Sequence, residues 1–167
     1  TLFNILGPLT NPAGARHYLL GVFDGALCRP MAEALKALGA KHALVVHAEE
    51  GLDEISLAGR TQVAELKDGE VQEYTLTAED AGLQTQSLDG LQVNSSAESL
   101  ALIEAAFAGE HAKAIDMIAL NAGAAIYAAD LADSLVAGVE KAKAVMLNGA
   151  AAAKVKELSQ FSQAFAQ

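Results

Sequence analysis

Two compact apolar runs with a helix-like segment between them set the strongest limit on the fold. Residues 17–23 (HYLLGVF) and 42–47 (HALVVH) have the length and composition of buried strands. Between them, the apolar side chains of Met31 and Leu35 fall at helical spacing, and Gly39 is suited to end a helix. A strand, a helix and a second strand at this spacing predict a βαβ unit, with parallel strands and a right-handed crossover.

The rest of the sequence predicts a hairpin followed by helices. An Asp-Gly pair at 68–69 separates the strand-like runs 61–66 and 71–76, which is a hairpin signal. Ser95, with Glu98 three residues later, has the form of a capping box at the start of a helix. The helical segments from there on are centred on residues 100–107, 115–126, 135–146 and 155–165.

Composition favours one folded domain. Hydrophobic residues make up 52% of the sequence and charged residues 19%, which argues against disorder. No linker or internal repeat divides the chain, and no apolar run approaches the length of a membrane span. We therefore predict a single α/β domain over residues 1–167, with a mostly parallel mixed sheet surrounded by helices. Because the sequence has no initiator Met, we expect the parent protein to begin upstream.

The cysteine count and the net charge restrict compartment and partners. Cys28 is the only cysteine, so no internal disulfide can form, and a reducing cytoplasm is the expected location. The net charge is -10 at pH 7, and no basic stripe interleaved with aromatics is present, which argues against nucleic-acid binding. A phosphate-binding enzyme this acidic would need positive charge from a metal ion or from residues outside the chain.

Asp53 and Glu54 are the most informative pair of polar residues. They follow the second predicted strand, and open α/β sheets bind ligands at the carboxyl ends of parallel strands. Magnesium is commonly held by one or two carboxylates together with substrate phosphates. Spacing alone leaves two interpretations, a solvated acidic loop and a metal site, and by itself favours the solvated loop. Glu49 and Glu50, in the same loop, are expected to be solvated.

Other motifs say less about function than the pair Asp53 and Glu54. His47 ends the second strand, where a hydrogen-bonded structural role is expected before a proton-transfer role. The stretch 149–154 (GAAAAK) imitates the start of a P-loop, but it lacks the second Gly and the following Ser or Thr, and it lies in a helical pattern. No G-x-S-x-G or G-x-G-x-x-G sequence is present, so the chain offers no recognisable nucleophile elbow or dinucleotide loop.

Several segments, in order, resemble the anthranilate phosphoribosyltransferases. The opening TLFNILGPLTNPA is similar to a T-x-F-N-x-L-G-P-L-x-N-P-A stretch of that family, and GLDEIS is similar to its G-L-D-E-I-S loop. The match continues through shorter segments at residues 73–76, 79–80, 82–83 and 120–122. The wider family includes pyrimidine nucleoside phosphorylases, but the acidic loop and the opening stretch favour the anthranilate enzymes. A non-catalytic homologue of the same fold is a further alternative.

The resemblance implies a fold, a reaction and a site. The chain would be part of the large α/β domain of the family, and the whole protein would transfer the phosphoribosyl group of phosphoribosyl pyrophosphate (PRPP) to anthranilate, releasing pyrophosphate in tryptophan biosynthesis. Asp53 and Glu54 would hold Mg²⁺ on the pyrophosphate. Asn11, Ala13 and Gly14 would lie near the anthranilate pocket, without a side chain suited to acid–base chemistry.

The family pattern also includes features that this sequence lacks. These are the glycine-rich phosphate loop, an arginine directly before the opening stretch, and a small helical domain through which two subunits form a homodimer. Ala48 stands where the family commonly has Gly. From these departures we expect the 167-residue chain alone to be inactive.

Overall fold

The chain forms one mixed four-stranded sheet with helices on both faces. The computed structural model describes residues 2–165, without the side chains at positions 2 and 4. The strands are β1 (His17–Gly21), β2 (His42–Ala48), β3 (Thr61–Lys67) and β4 (Glu70–Leu76), in that order across the sheet. The helices are α1 (Leu2–Leu6), α2 (Cys28–Ala37), α3 (Ser96–Phe107), α4 (Ala112–Ala128), α5 (Leu135–Leu147) and α6 (Ala150–Gln163). None of these helices is long and apolar enough to cross a membrane.

The first strands confirm the βαβ unit. β1 and β2 are parallel, with Leu19 opposite Leu44, and α2 forms the crossover between them. Gly39 has a φ of 89°, the left-handed conformation that commonly follows the end of a helix. The hairpin is confirmed as well. At its turn Asp68 and Gly69 have φ angles of 52° and 80°, as a two-residue turn of type I′ requires.

The α/β class and the mixed sheet are confirmed, but the expectation of a mostly parallel sheet is wrong for residues 2–165. Of the three strand pairings, only β1 with β2 is parallel, whereas β2 with β3 and β3 with β4 are antiparallel. The reason is the connection 49–60, which contains no crossover helix and returns the chain beside β2 in the opposite direction. The extent of the domain over residues 1–167 stays a prediction.

Two apolar cores lie on opposite faces of the sheet. One face of β2, with Val45, packs on α2, and the other face, with Leu44 and Val46, packs on α4 and α5. Alternate side chains of β2 therefore enter different cores, and all of its apolar residues are buried. This arrangement leaves the carboxyl ends of β1 and β2 as the place where loop residues can meet a ligand.

The helix predicted at 95–107 begins at the expected cap. The Ser95 hydroxyl oxygen accepts a hydrogen bond from the Glu98 N–H at 3.2 Å. The Glu98 carboxylate accepts from the N–H of Asn94 at 2.7 Å, one residue earlier than a standard capping box predicts. The first of these hydrogen bonds satisfies one of the N–H groups that the first turn leaves without partners.

Candidate functional site

The acidic loop turns back toward the sheet immediately after β2. The N–H of Gly51 donates to Ala48 O at 2.9 Å, and the N–H of Ala48 donates to Leu52 O at 3.0 Å. Gly51 has a φ of 93°, a conformation that glycine adopts readily. This reversal brings Asp53 and Glu54 to the carboxyl end of the parallel pair. The family resemblance predicted a metal site there, whereas spacing alone favoured a solvated acidic loop.

Gly21, the last residue of β1, lies directly against the backbone of this loop. A Cβ atom placed on Gly21 would lie 1.6 Å from the Asp53 carbonyl oxygen and 2.5 Å from the Asp53 carbonyl carbon. No side chain fits at this position, because the obstruction is backbone and cannot move aside. The absence of a side chain on Gly21 therefore lets the acidic loop lie directly against β1.

Asn121, on helix α4, holds the same loop from the other side. Its Oδ1 accepts from the Ile55 N–H at 2.9 Å, and its Nδ2 donates to Ile55 O at 3.0 Å and to Met117 O at 3.3 Å. Ile55 itself is completely buried. Sequence reasoning matched Asn121 to a family segment but gave it no role. The available signal was an asparagine in the middle of a helix, a position that asparagine does not favour.

The later part of the loop has separate anchors. The hydroxyl of buried Ser56 donates to the Glu50 carboxylate, and the Ser56 N–H donates to the Thr61 hydroxyl oxygen at 3.1 Å. Glu49 is exposed, as expected. The expectation that Glu50 is only solvated is wrong, because its carboxylate ties the loop to a buried serine.

Asp53 and Glu54 lie at the rim of a cleft of about 420 Å³. Its other polar residue is Asn121. The apolar lining consists of Leu19, Gly21, Val46, Met117, Ile118 and Ala122, from the first two strands and helix α4. The cleft therefore combines an apolar wall with two adjacent carboxylates at one end.

The Glu54 carboxyl group has a raised pKa. Desolvation by the surrounding protein raises its pKa above the ordinary value, and the negative charge of Asp53 raises the pKa further. The side chain keeps contact with solvent, so the desolvation is partial. An acid with a raised pKa beside a second acid is the arrangement that a bound cation would relieve.

The donor set fits a metal that needs ligands from elsewhere as well. Within residues 2–165, no three His, Cys, Asp or Glu side chains are grouped closely enough to hold a metal ion by themselves. Two carboxylates without a third protein ligand suit Mg²⁺, which retains waters and shares coordination with substrate phosphates. Asp53 and Glu54 are the residues that would hold such an ion.

The residues expected near an acceptor pocket form a separate turn. The Ala13 N–H donates to the Asn11 side-chain oxygen at 2.9 Å, and the Gly14 N–H donates to the Asn11 carbonyl at 3.2 Å. Asn11, Ala13 and Gly14 are all exposed, and none of them lines the cleft beside Asp53 and Glu54. Their role in binding stays a prediction.

Three other sequence features have structural explanations. His47 is half-buried, and its Nδ1 donates to Val22 O at 2.8 Å, so the expected structural role is confirmed. Burial raises the pKa of the Cys28 thiol to about 11, with further contributions from Glu73 and Asp24, and this agrees with a packed, unreactive cysteine. Gly149 precedes α6 and follows another helix rather than a strand, so the P-loop interpretation is correctly rejected.

A second polar cluster lies at the opposite end of the strands and was not predicted. His42 is 2% exposed, with Nδ1 2.7 Å from Asp130 Oδ1 and Nε2 2.9 Å from Glu65 Oε1. The hydrogen bond from His42 is the largest cause of a lowered pKa at Asp130. Tyr127 packs edge-on against the His42 ring, at 4.9 Å between centroids, and donates to Glu65. This cluster joins the end of α4 to the sheet and satisfies its own polar groups.

Comparison with known proteins assigns the chain to a family of glycosyl transferases. Residues 1–152 match the glycosyl transferase family, a/b domain, and the chain belongs to that family. Among curated relatives, the anthranilate phosphoribosyltransferase of Stutzerimonas stutzeri is 58% identical over 100% of this chain and 49% of the relative. The protein of the same name from Marinobacter nauticus is 60% identical over 99% of this chain and 49% of the relative. The chain thus spans about half the length of the curated relatives it matches.

Solved structures show the same fold. The anthranilate phosphoribosyltransferase of Thermus thermophilus is 45% identical with a TM-score of 0.80, over 89% of this chain and 44% of that protein. The Saccharomyces cerevisiae enzyme in complex with PRPP and Mg is 24% identical with a TM-score of 0.77, over 89% of this chain and 43% of that protein. At the latter identity the likeness concerns the fold alone.

Proposed function

We propose that this chain supplies the magnesium-binding part of an anthranilate phosphoribosyltransferase. In a protein of its relatives' length, the reaction would transfer the phosphoribosyl group of PRPP to anthranilate and release pyrophosphate. The observation that carries the proposal is the pair Asp53 and Glu54, at the carboxyl end of a parallel strand pair, in a chain 58% identical to a relative of that name.

The chain's own residues would act by binding and orientation. Asp53 and Glu54 would hold Mg²⁺ against the pyrophosphate, while Gly21 and Asn121 keep their backbone in place. A bound Mg²⁺ neutralises the negative charge that develops on a departing pyrophosphate. The loop of Asn11, Ala13 and Gly14 would contribute backbone contacts to the acceptor, since no group there can exchange a proton at neutral pH.

The net charge of the chain supports a role for Asp53 and Glu54 in binding a cation. With a net charge of -10, the chain by itself would repel a pyrophosphate. A divalent cation held by the two carboxylates would neutralise their charge and leave coordination positions for the pyrophosphate oxygens. The remaining half of the relatives' length would supply the other phosphate ligands and the homodimer contact, so the 167-residue chain alone is expected to be inactive. The proposal includes a cytoplasmic location, in keeping with the lone buried thiol of Cys28.

Replacing both acids tests the proposal. In the full-length protein, the double variant Asp53→Ala, Glu54→Ala should lose at least about a hundredfold in kcat/KM, because charge stabilisation by a metal contributes several kcal/mol. Its thermal stability should change little, because both side chains are exposed and substitutions of this kind cost within about 0.5 kcal/mol. The measurement is turnover of PRPP and anthranilate as a function of magnesium concentration.

Glu49→Ala is the matched control, since Glu49 is an exposed acid of the same loop. It should keep wild-type activity. Wild-type turnover of the double variant at limiting magnesium would overturn the metal assignment. Turnover of thymidine and phosphate in place of PRPP and anthranilate would instead identify a pyrimidine nucleoside phosphorylase.

A further inference from the structure

We infer that Asn121 is a positioning residue for the acidic loop, fixing the direction of the Asp53 and Glu54 carboxylates without binding the metal itself. The inference rests on the proposed function, since it concerns how those carboxylates would be presented to Mg²⁺. It gives a polar residue of helix α4 a role at the site, beside the apolar side chains of α4 that line the cleft.

The chemistry of the contact is specific to a carboxamide. Oδ1 of Asn121 accepts from the N–H of Ile55, and Nδ2 donates to the carbonyl of the same residue, at 2.9 and 3.0 Å. The two hydrogen bonds resemble those that directly opposite residues exchange in a hydrogen-bonded pair of an antiparallel sheet. The amide orientation follows from the partners, because the Ile55 N–H can only donate and the Ile55 and Met117 carbonyls can only accept.

The contact acts on the residue directly after Glu54. Ile55 is fully buried, so its N–H and carbonyl need partners inside the protein. Asn121 supplies both. On the other side, Gly21 allows the Asp53 backbone to lie against β1. The dipeptide that carries the carboxylates is therefore fixed at each end, by a strand before it and a helix after it.

The later part of the loop does not need this contact. Ser56 and Thr61 form their own hydrogen bond at 3.1 Å, and Ser56 also donates to Glu50. Loss of the Asn121 carboxamide should thus loosen Asp53 and Glu54 without releasing the rest of the loop. Because Asn121 also faces the cleft, the loosened segment would be the one that meets the ligand.

The test replaces the carboxamide in the full-length protein in two ways. Asn121→Ala leaves room for water, and Asn121→Leu keeps the bulk while removing the hydrogen bonds. The readout is Mn²⁺ binding in the presence of PRPP without anthranilate, followed by water proton relaxation. We expect affinity to fall about tenfold or more, the range found when partners that orient metal ligands are removed. The KM for PRPP should rise in parallel, with the KM for anthranilate unchanged.

Two comparisons separate a positioning role from a general loss of stability. Asn121→Gln keeps the carboxamide on a longer side chain and should recover part of the Mn²⁺ affinity. Val139→Ala removes two buried methyl groups from α5, outside the cleft, and should lower the melting temperature while leaving Mn²⁺ affinity at the wild-type value. Either of the Asn121→Ala and Asn121→Leu variants, if folded, is sufficient for the comparison.

The outcomes distinguish this inference from the proposed function. If the double variant at Asp53 and Glu54 binds Mn²⁺ as the wild type does, the metal site itself is wrong. If that double variant loses Mn²⁺ while a folded Asn121 variant binds it with wild-type affinity, the metal site stands and the positioning role is overturned. If Mn²⁺ affinity falls in the double variant and in Asn121→Ala or Asn121→Leu, and partly recovers in Asn121→Gln, the result supports the metal site and the positioning role together.

Discussion

At the scale of single residues, Glu79 is the acid whose surroundings most clearly predict a pH effect. Its carboxylate accepts hydrogen bonds from the Thr85 hydroxyl at 2.6 Å and from the Thr85 N–H at 3.0 Å. These bonds favour the charged form and lower the pKa of Glu79 from 4.5 to about 2. A lowered pKa in the folded state means stabilisation that is fully present above pH 4.5 and lost as the pH falls toward 2.

Glu79→Gln should therefore reduce stability at neutral pH and make the difference from wild type shrink as the pH falls below 4.5. The measurement is the urea midpoint of both proteins between pH 7 and about 2.5. Thr85→Val, which removes the hydroxyl but keeps the N–H, should reproduce part of the effect. Glu140→Gln, an exposed change on α5, controls for the altered net charge. A difference that grows toward acid pH would contradict the assignment.

Some residues of the candidate site could be located from the sequence, and others could be given a role only from the structure. The position of Asp53 and Glu54 at the end of β2 could be predicted from the strand pattern, whereas their role as metal ligands comes from the family resemblance and stays a prediction. Gly21 and Asn121 could not be given roles, because each acts through a contact with a backbone distant in sequence. Ile55 and Asn121 are 66 positions apart, and only the packing of α4 on the sheet brings them together. Glu50 was misjudged for a similar reason, since its partner Ser56 becomes buried only in the folded loop.

At the scale of helices and strands, the crossing of α4 and α5 depends on two glycines. A Cβ on Gly123 would lie 2.5 Å from Val139 N, and a Cβ on Gly138 would lie 2.3 Å from Gly123 O. Alanine normally stabilises a helix interior by about 1 kcal/mol relative to glycine. At this crossing, however, the added methyl group would meet the backbone of the other helix.

We expect Gly123→Ala and Gly138→Ala each to lower the free energy of unfolding by about 1–3 kcal/mol, the usual cost of overpacking. Chemical denaturation of the variants measures this directly. Gly7→Ala makes the same chemical change at a position with nothing within 4 Å, so it should not show such a loss. A stabilisation of about 1 kcal/mol in Gly123→Ala would mean that helix propensity outweighs the crossing.

The elements themselves were largely predictable, but the direction of β3 relative to β2 was not. Apolar runs and an Asp-Gly turn located β1 to β4, and helical spacing located α2 and α4 to α6. The sheet was expected to be mostly parallel because the first two strands are joined by a helix. The direction of β3 depends on the loop 49–60, whose backbone reversal at Gly51 and anchors at Ser56 form only with the tertiary structure.

At the scale of the whole molecule, apolar side chains are exposed at both ends of the described chain. Phe3 is 82% exposed, and no residue of α6 is buried. Leu158, Phe161 and Phe165 follow one another at helical spacing, with exposures of 64%, 64% and 71%. Apolar groups clustered in this way commonly mark an interaction surface or a liability to aggregate.

We expect the isolated 167-residue chain to self-associate and to bind a hydrophobic dye. The net charge of -10 opposes association at low ionic strength, so light scattering should increase with added salt, which screens that repulsion. Leu158→Ser together with Phe161→Ser should reduce both signals. Ala152→Ser, at an exposed position of the same helix, is the control. A monodisperse, dye-silent wild-type chain at high salt would show that these side chains do not drive association.

The contact between Asn121 and Ile55 also bears on the order in which the molecule is assembled. Its two partners are 66 residues apart, whereas β3 and β4 are joined by a two-residue turn. Closing a long loop costs more chain entropy than closing a short one, and contacts distant in sequence slow folding. The acidic loop can therefore take its final shape only in molecules where β1 and α4 have both docked on the sheet. We therefore expect the two carboxylates to reach their native orientation late in folding, after the hairpin of β3 and β4 has formed.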